Sequence, residues 1–184
     1  MPAPKKTLLS VLFVVYLVLL TWTVVWKLAV PWVGEAVGLP HPFKLVPFLP
    51  DGEAGGSPPL EVLANVALFV PFGVYLGLLA PTWRWWQMTL VFLGASLALE
   101  FVQHALATGS FDITDVIVNT AGGIAGLGLL AVARRRLQRS TMARVLLVAT
   151  VLGLIAIAVL DASPLRYVPL TDVIVPTPGI SHRR

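Results

Sequence analysis

No cysteine occurs anywhere in the 184 residues. Disulfides, thiolate catalysis and thiolate metal sites are therefore excluded. Charge is scarce as well: 12% of residues are Asp, Glu, Lys or Arg, about half the fraction of an ordinary soluble domain. Histidine occurs only at His41, His104 and His182, too scattered to form a zinc set, so no histidine metal site is expected. Nothing in the chain resembles a P-loop, a nucleophilic triad or a haem motif. What the chain has instead is long apolar blocks: 57% of it is hydrophobic and the mean hydropathy is +0.86. Blocks of this length need a bilayer around them, so the fold class is an all-α polytopic membrane helix bundle.

Five spans are predicted, at about 8–30, 60–80, 87–107, 112–133 and 142–160. The first follows Lys5 and Lys6 like a signal peptide, but it is longer than an h-region and no small-residue cleavage site follows. It is read as a retained span with Trp22, Trp26 and Lys27 in the interface at its far end. Pro71 and Gly73 lie inside the second span and predict a kink. Residues 1–160 make one membrane domain, and residues 161–184, with four prolines, form a tail. Between the first two spans lies "KLVPFLP", Lys44 to Pro50. It is too short to span and too apolar for a free linker, so it is expected in the interface or folded back on the bundle.

The cations orient the chain. Lys5, Lys6, Arg84 and the cluster Arg134, Arg135, Arg136, Arg139 and Arg144 fall on one side. That side is predicted to be cytoplasmic, with the N-terminus on it and the C-terminus extracytoplasmic. The net charge of +4 belongs to span ends and anionic lipid headgroups, and no nucleic-acid partner is expected.

With that topology, polar residues of three spans reach the same outer depth. Glu61 and Asn65 open the second, Glu100, Gln103 and His104 close the third, and Asp112, Asp115 and Asn119 open the fourth. Spacings of three, four and seven put each set on one helix face. The last set continues into Gly122 and Gly126, a G-x-x-x-G pair that admits a close neighbour. Glu100 lies about seven residues from its span end, roughly 10 Å deep at 1.5 Å per residue. An ionised carboxylate at the bilayer centre costs about 2.5–3.5 kcal/mol and needs a partner, water or a proton. Asp112 also suits a helix N-cap, with Asp115 as an acid favoured by the helix dipole. Asn65 and Asn119 suit interhelical hydrogen bonding equally well, and His104 an interfacial position.

The pieces "KLVPF", "NVALFVPFG", "EFVQ" and "FDITDVIVNTAGGIAG" resemble, in order and spacing, the VanZ-like family of integral membrane proteins. The resemblance covers roughly residues 44–130 and a first span in the expected place. It implies that Asn65, Pro71, Gly73, Glu100, Gln103, Asp112, Asp115, Asn119, Gly122 and Gly126 hold motif positions. Two departures stand out: the turn before the aspartates, "ATGSFD", has no arginine, and Lys44 stands where many members have asparagine. Lys44 would then supply the missing cation. The family is named for teicoplanin resistance, which implies cell-envelope work at the outer face of a bacterial plasma membrane and a link to glycopeptide resistance.

Three functions are open at this point. The first is binding or modification of an amphiphilic or lipid-linked ligand at the outer leaflet, such as an envelope precursor or a glycopeptide. Glu100 and Asp115, with Asp112, would act there as acid and base, or hold a hard divalent cation together with Asn119. Asn65, Gln103, Asn119 and Lys44 would bind the ligand, while Pro71, Gly73, Gly122 and Gly126 shape the helices. The second is a small proton-coupled transporter with Glu100 as its titrating group. The third is a scaffold in which the polar residues only join helices. No cofactor can be named, and membrane lipids are an expected partner.

Overall fold

The structure, a computed structural model, describes residues 6–26, 43–48 and 59–136, with the isolated positions 141 and 144. Of the expected fifth span only Arg144 is described, and the tail, Lys27 and the side chain of Glu61 lie outside the described residues. Within them are four helices, α1 (Lys6–Trp26), α2 (Pro59–Leu79), α3 (Trp85–Ala105) and α4 (Ile113–Arg136), and two short strands, β1 (Phe43–Lys44) and β2 (Phe111–Asp112). All four helices are long and apolar enough to cross a membrane. The chain is thus a multi-pass membrane protein. Its helix limits fall within about four residues of the four predicted spans they replace.

Local chemistry sets the ends. α2 opens on Pro59, where a missing N–H costs nothing because the first helical donors lack partners anyway. At the head of α3, the Gln87 Oε1 accepts the Arg84 N–H at 2.8 Å, half of a capping box. At the same end of the bundle, Arg134 of α4 donates to the Gly77 carbonyl near the end of α2 at 2.6 Å. A cation there completes one of the carbonyls that a helix C-terminus leaves open.

Cross-helix contacts give an up-down-up-down order. Gln103 near the end of α3 meets Val24 near the end of α1, and Asn65 near the start of α2 meets Asp115 near the start of α4. One end of the bundle therefore carries the acids and the other carries Arg84, Arg134 and Arg135.

The tightest packing is between α2 and α4, and glycine permits it. A Cβ on Gly122 would collide with the Val66 carbonyl, one on Gly126 with the Val70 carbonyl, and one on Gly73 with the Gly123 carbonyl. Small residues let membrane helices approach backbone to backbone. α2 stays helical through Pro71, although proline leaves the carbonyl four residues earlier, at Ala67, without its donor. One residue on, the Leu68 carbonyl accepts the Tyr16 hydroxyl of α1. Around this crossing, Phe13 and Tyr16 of α1, Phe72 and Tyr75 of α2 and Phe92 of α3 pack ring against ring. Phe72 and Phe92 meet edge-on at 5.2 Å between centroids. This aromatic layer is the centre of the core.

Candidate functional site

The turn from α3 to α4 builds the site. α3 closes with the Thr108 N–H on the Gln103 carbonyl at 3.0 Å and the Ala107 N–H on the His104 carbonyl at 3.1 Å. This paired closure is a Schellman motif, whose pivot is left-handed and usually glycine. Here the pivot is Ala107, with φ 52°. The chain then extends through β2 and turns directly into α4.

Asp112 stands at that turn. Its Oδ1 accepts the Thr114 N–H at 2.7 Å, the bond an N-cap aspartate makes to the first helical turn. The N–H of Asp112 in turn donates to Glu100 Oε2 at 2.9 Å. Glu100 sits five residues inside the end of α3, about 8 Å at 1.5 Å per residue, and only 1% of its surface is exposed. A buried carboxylate thus fixes the backbone at the head of the next helix. A hydrogen bond to an ionised acceptor is about twice as strong as a neutral one, which offsets part of the cost of depth.

The segment at 43–48 folds back onto this turn. β1 pairs in parallel with β2, Phe43 opposite Phe111 and Lys44 opposite Asp112. Paired residues of a ladder project to the same face. The Phe43 and Phe111 rings meet on one face at 5.6 Å between centroids, which leaves Lys44 and Asp112 together on the other. Asp112 is buried and Lys44 half-buried. The segment is held a second time where the Phe48 N–H donates to Thr114 Oγ1 at 3.1 Å. Residues this short, so far apart in sequence, gave no periodic signal of a strand.

Two further bonds cross between helices. Asn65 Nδ2 of α2 donates to Asp115 Oδ1 of α4 at 2.8 Å. Asn119 Nδ2 donates to Ser96 Oγ of α3 at 2.9 Å, and both residues are almost wholly buried. Asn119 Oδ1 has no hydrogen-bond partner among the described residues. Neither Ser96 nor Thr114 stood out from the sequence. The available signal was position: Ser96 is one helical turn below Glu100, and Thr114 lies between the two aspartates.

Gln103 parts from the grouping expected of it. Its Nε2 donates to the Val24 carbonyl of α1 at 2.9 Å, away from the acids of α4. At about 100° per residue, position i+3 lies about 60° to one side of Glu100, and i+4 about 40° to the other. The three residues therefore meet three neighbours. Glu100 meets the head of α4, Gln103 meets α1, and His104 packs on the Phe43 ring at 4.4 Å between centroids.

Four residues farther into the bundle the polarity stops. Below Asn65 is Phe69, below Ser96 is Phe92, and below Asn119 is Gly123, against which the Phe92 ring lies. The result is a polar cap about two turns deep over an aromatic floor. Three carboxylates and one lysine make it net acidic, suited to hydrogen-bond donors and cationic groups. Among the described residues no three His, Asp or Glu side chains are grouped so as to hold a metal ion.

The comparisons agree with this architecture. The family model described as VanZ/LLP1 matches residues 13–134, from within α1 to near the end of α4. A curated relative, "Protein VanZ" of Enterococcus faecium, is 31% identical over 154 residues, covering 84% of this chain and 92% of the relative. No solved structure matches the chain. The polar cap, the glycine crossing of α2 and α4 and the folded-back segment all fall inside the span of the family model or beside it. On the extent of both matches, the chain belongs to the VanZ-like family, which is named for teicoplanin resistance.

Proposed function

We propose that this chain binds an amphiphilic, lipid-linked ligand of the bacterial cell envelope at the outer leaflet. Glu100, Asp112 and Asp115 would hold the ligand's polar head, with Asn65, Asn119 and Lys44 beside them. The observation that carries this reading is the convergence of a buried glutamate, two aspartates and a lysine on one junction, beneath an exposed apolar segment. Such a place offers polar groups to a head and apolar surface to a tail. The outward orientation rests on the arginine-rich opposite end. The family is named for resistance to teicoplanin, a glycopeptide, and a ligand shared by envelope synthesis and glycopeptide action is consistent with that name.

The test is direct binding. Protein in liposomes is titrated with lipid-linked envelope precursors, with a simple phospholipid as control, and products are sought by mass spectrometry in the presence of Mg²⁺. Saturable binding weakened at least tenfold by Asp115→Ala in a folded protein supports the reading. A Glu100→Gln protein as active as its parent removes any acid–base role for that residue. Equal affinity for precursor and plain phospholipid removes the reading altogether.

A second reading is favoured by the bonds themselves. Asn65, Gln103 and Asn119 all join one helix to another, as in a scaffold whose polar groups serve only assembly. In that case substitutions at these positions lower stability and phenotype in proportion. A folded, normally stable variant that has lost its phenotype rejects it.

A further inference from the structure

We propose that Phe43–Phe48 is a membrane-inserting finger, its apolar side chains immersed among the lipid acyl chains of the leaflet at the acidic end. Four of its six side chains are large, apolar and more than half exposed: Phe43 56%, Leu45 66%, Val46 59% and Phe48 60%. Its one charged side chain, Lys44, is half-buried and shares a ladder face with Asp112. The finger thus turns its charge inward and its apolar groups outward, the inverse of a loop that faces water.

Two backbone attachments fix its depth. The ladder to Phe111 and Asp112 holds one end, and the Phe48 N–H on Thr114 Oγ1 holds the other. Both lie at the head of α4, one in β2 and one in the first helical turn, where the chain passes from one membrane-crossing helix to the next. Between them the chain reverses, with Phe48 in the left-handed region at φ 60°. A large residue takes that conformation only when its surroundings hold it there.

The occupant follows from what surrounds this end of the bundle. Near the same end of the bundle Phe101 of α3 and Leu63 of α2 are about two-thirds exposed, and Ile117 of α4 is also exposed. On spanning helices such residues face lipid. The finger, docked at that same end, presents its apolar side chains near their depth. Apolar side chains with a polar anchor are also what interfacial segments use to lie in the acyl boundary.

The absence of native cysteine makes the test clean. Single cysteines at positions 45, 46 and 48 are spin-labelled, and the protein is placed in phospholipid liposomes. Collision with oxygen, which concentrates in lipid, is compared with collision with a water-soluble nickel chelate. A label at Phe101 serves as the lipid reference and one at Arg135 as the aqueous reference. The finger is expected to match the Phe101 label, with oxygen access at least fivefold above that of the chelate at two of the three sites. Chelate access equal to that at Arg135 overturns the proposal. So does shielding from both reagents, which means that protein covers the finger. Spin–spin broadening that disappears on dilution with unlabelled protein would identify that cover as a second copy. Val46→Cys changes one exposed side chain outside the ladder, so a finding there stands even if the substitution at Phe48 disturbs the turn.

Discussion

Asn65 and Asp115, 50 positions apart, meet through one hydrogen bond of 2.8 Å that ties the head of α2 to the head of α4. The bond sits above the glycine crossing of the same two helices. It holds the polar end closed while Gly122 and Gly126 set the spacing below.

A double-mutant cycle measures that tie. Asn65→Ala and Asp115→Ala are each expected to lower the detergent-solubilised melting temperature. Their coupling is expected at about 0.6 kcal/mol and no higher than about 1.7 kcal/mol, the average and the maximum found for hydrogen bonds between membrane helices. Strict additivity of the two losses would mean that the bond does not form.

The glycines separate by what lies opposite them. Gly126→Ala and Gly73→Ala drive a methyl group into a backbone carbonyl, an overpacking expected to cost about 1–3 kcal/mol or to block assembly. Gly94→Ala and Gly128→Ala meet nothing within 4 Å. These two are expected to be neutral, or to stabilise by up to about 1 kcal/mol through helix propensity. Thermal unfolding of the four variants side by side decides the matter, and equal losses would contradict the close crossing.

Ala107 holds a left-handed position at the end of α3. Ala107→Gly removes a steric cost of roughly 1–2 kcal/mol, part of which is returned as unfolded-chain entropy. The variant is expected to unfold at a higher temperature than the parent. A lower one would place the end of α3 elsewhere.

Glu100 divides charge from hydrogen bonding. Glu100→Gln keeps an oxygen for the Asp112 N–H and is expected to stay within about 1 kcal/mol of the parent, whereas Glu100→Leu leaves that buried donor without its acceptor and costs about 1–3 kcal/mol. If the carboxylate charge serves the ligand, both variants lose binding although only one loses stability. Stability and binding falling together in both would assign Glu100 to structure alone.

The legible part of this protein was the part written by the bilayer. Span lengths follow hydrocarbon thickness, so the four described helices appear close to where apolar blocks begin and end. The acids and amides could be assigned to one end because alternating spans fix depth, and Gly122 and Gly126 carried their own packing signal. Direction around each helix was harder to read. Gln103 and Glu100 share a face by spacing, yet a difference of about 60° sends them to different neighbours. The same holds for α4, whose glycines promised a close partner without naming α2. The ladder of Phe43–Lys44 with Phe111–Asp112 depends on a meeting of two distant dipeptides, and no local pattern encodes it. Ser96 was invisible because one hydroxyl in an apolar run is common, and only the Asn119 facing it gives it meaning.

The pairing of Phe48 with Thr114 spans 66 positions, and that separation orders events during synthesis. Tyr16 can find the Leu68 carbonyl once two helices have left the ribosome. The finger must wait until α3 and the head of α4 have followed, for its docking edge does not exist before then. The acidic end therefore matures only after α3 is complete and α4 has begun. A nascent chain stalled short of Phe111 would present the finger to chaperones and proteases with nowhere to dock.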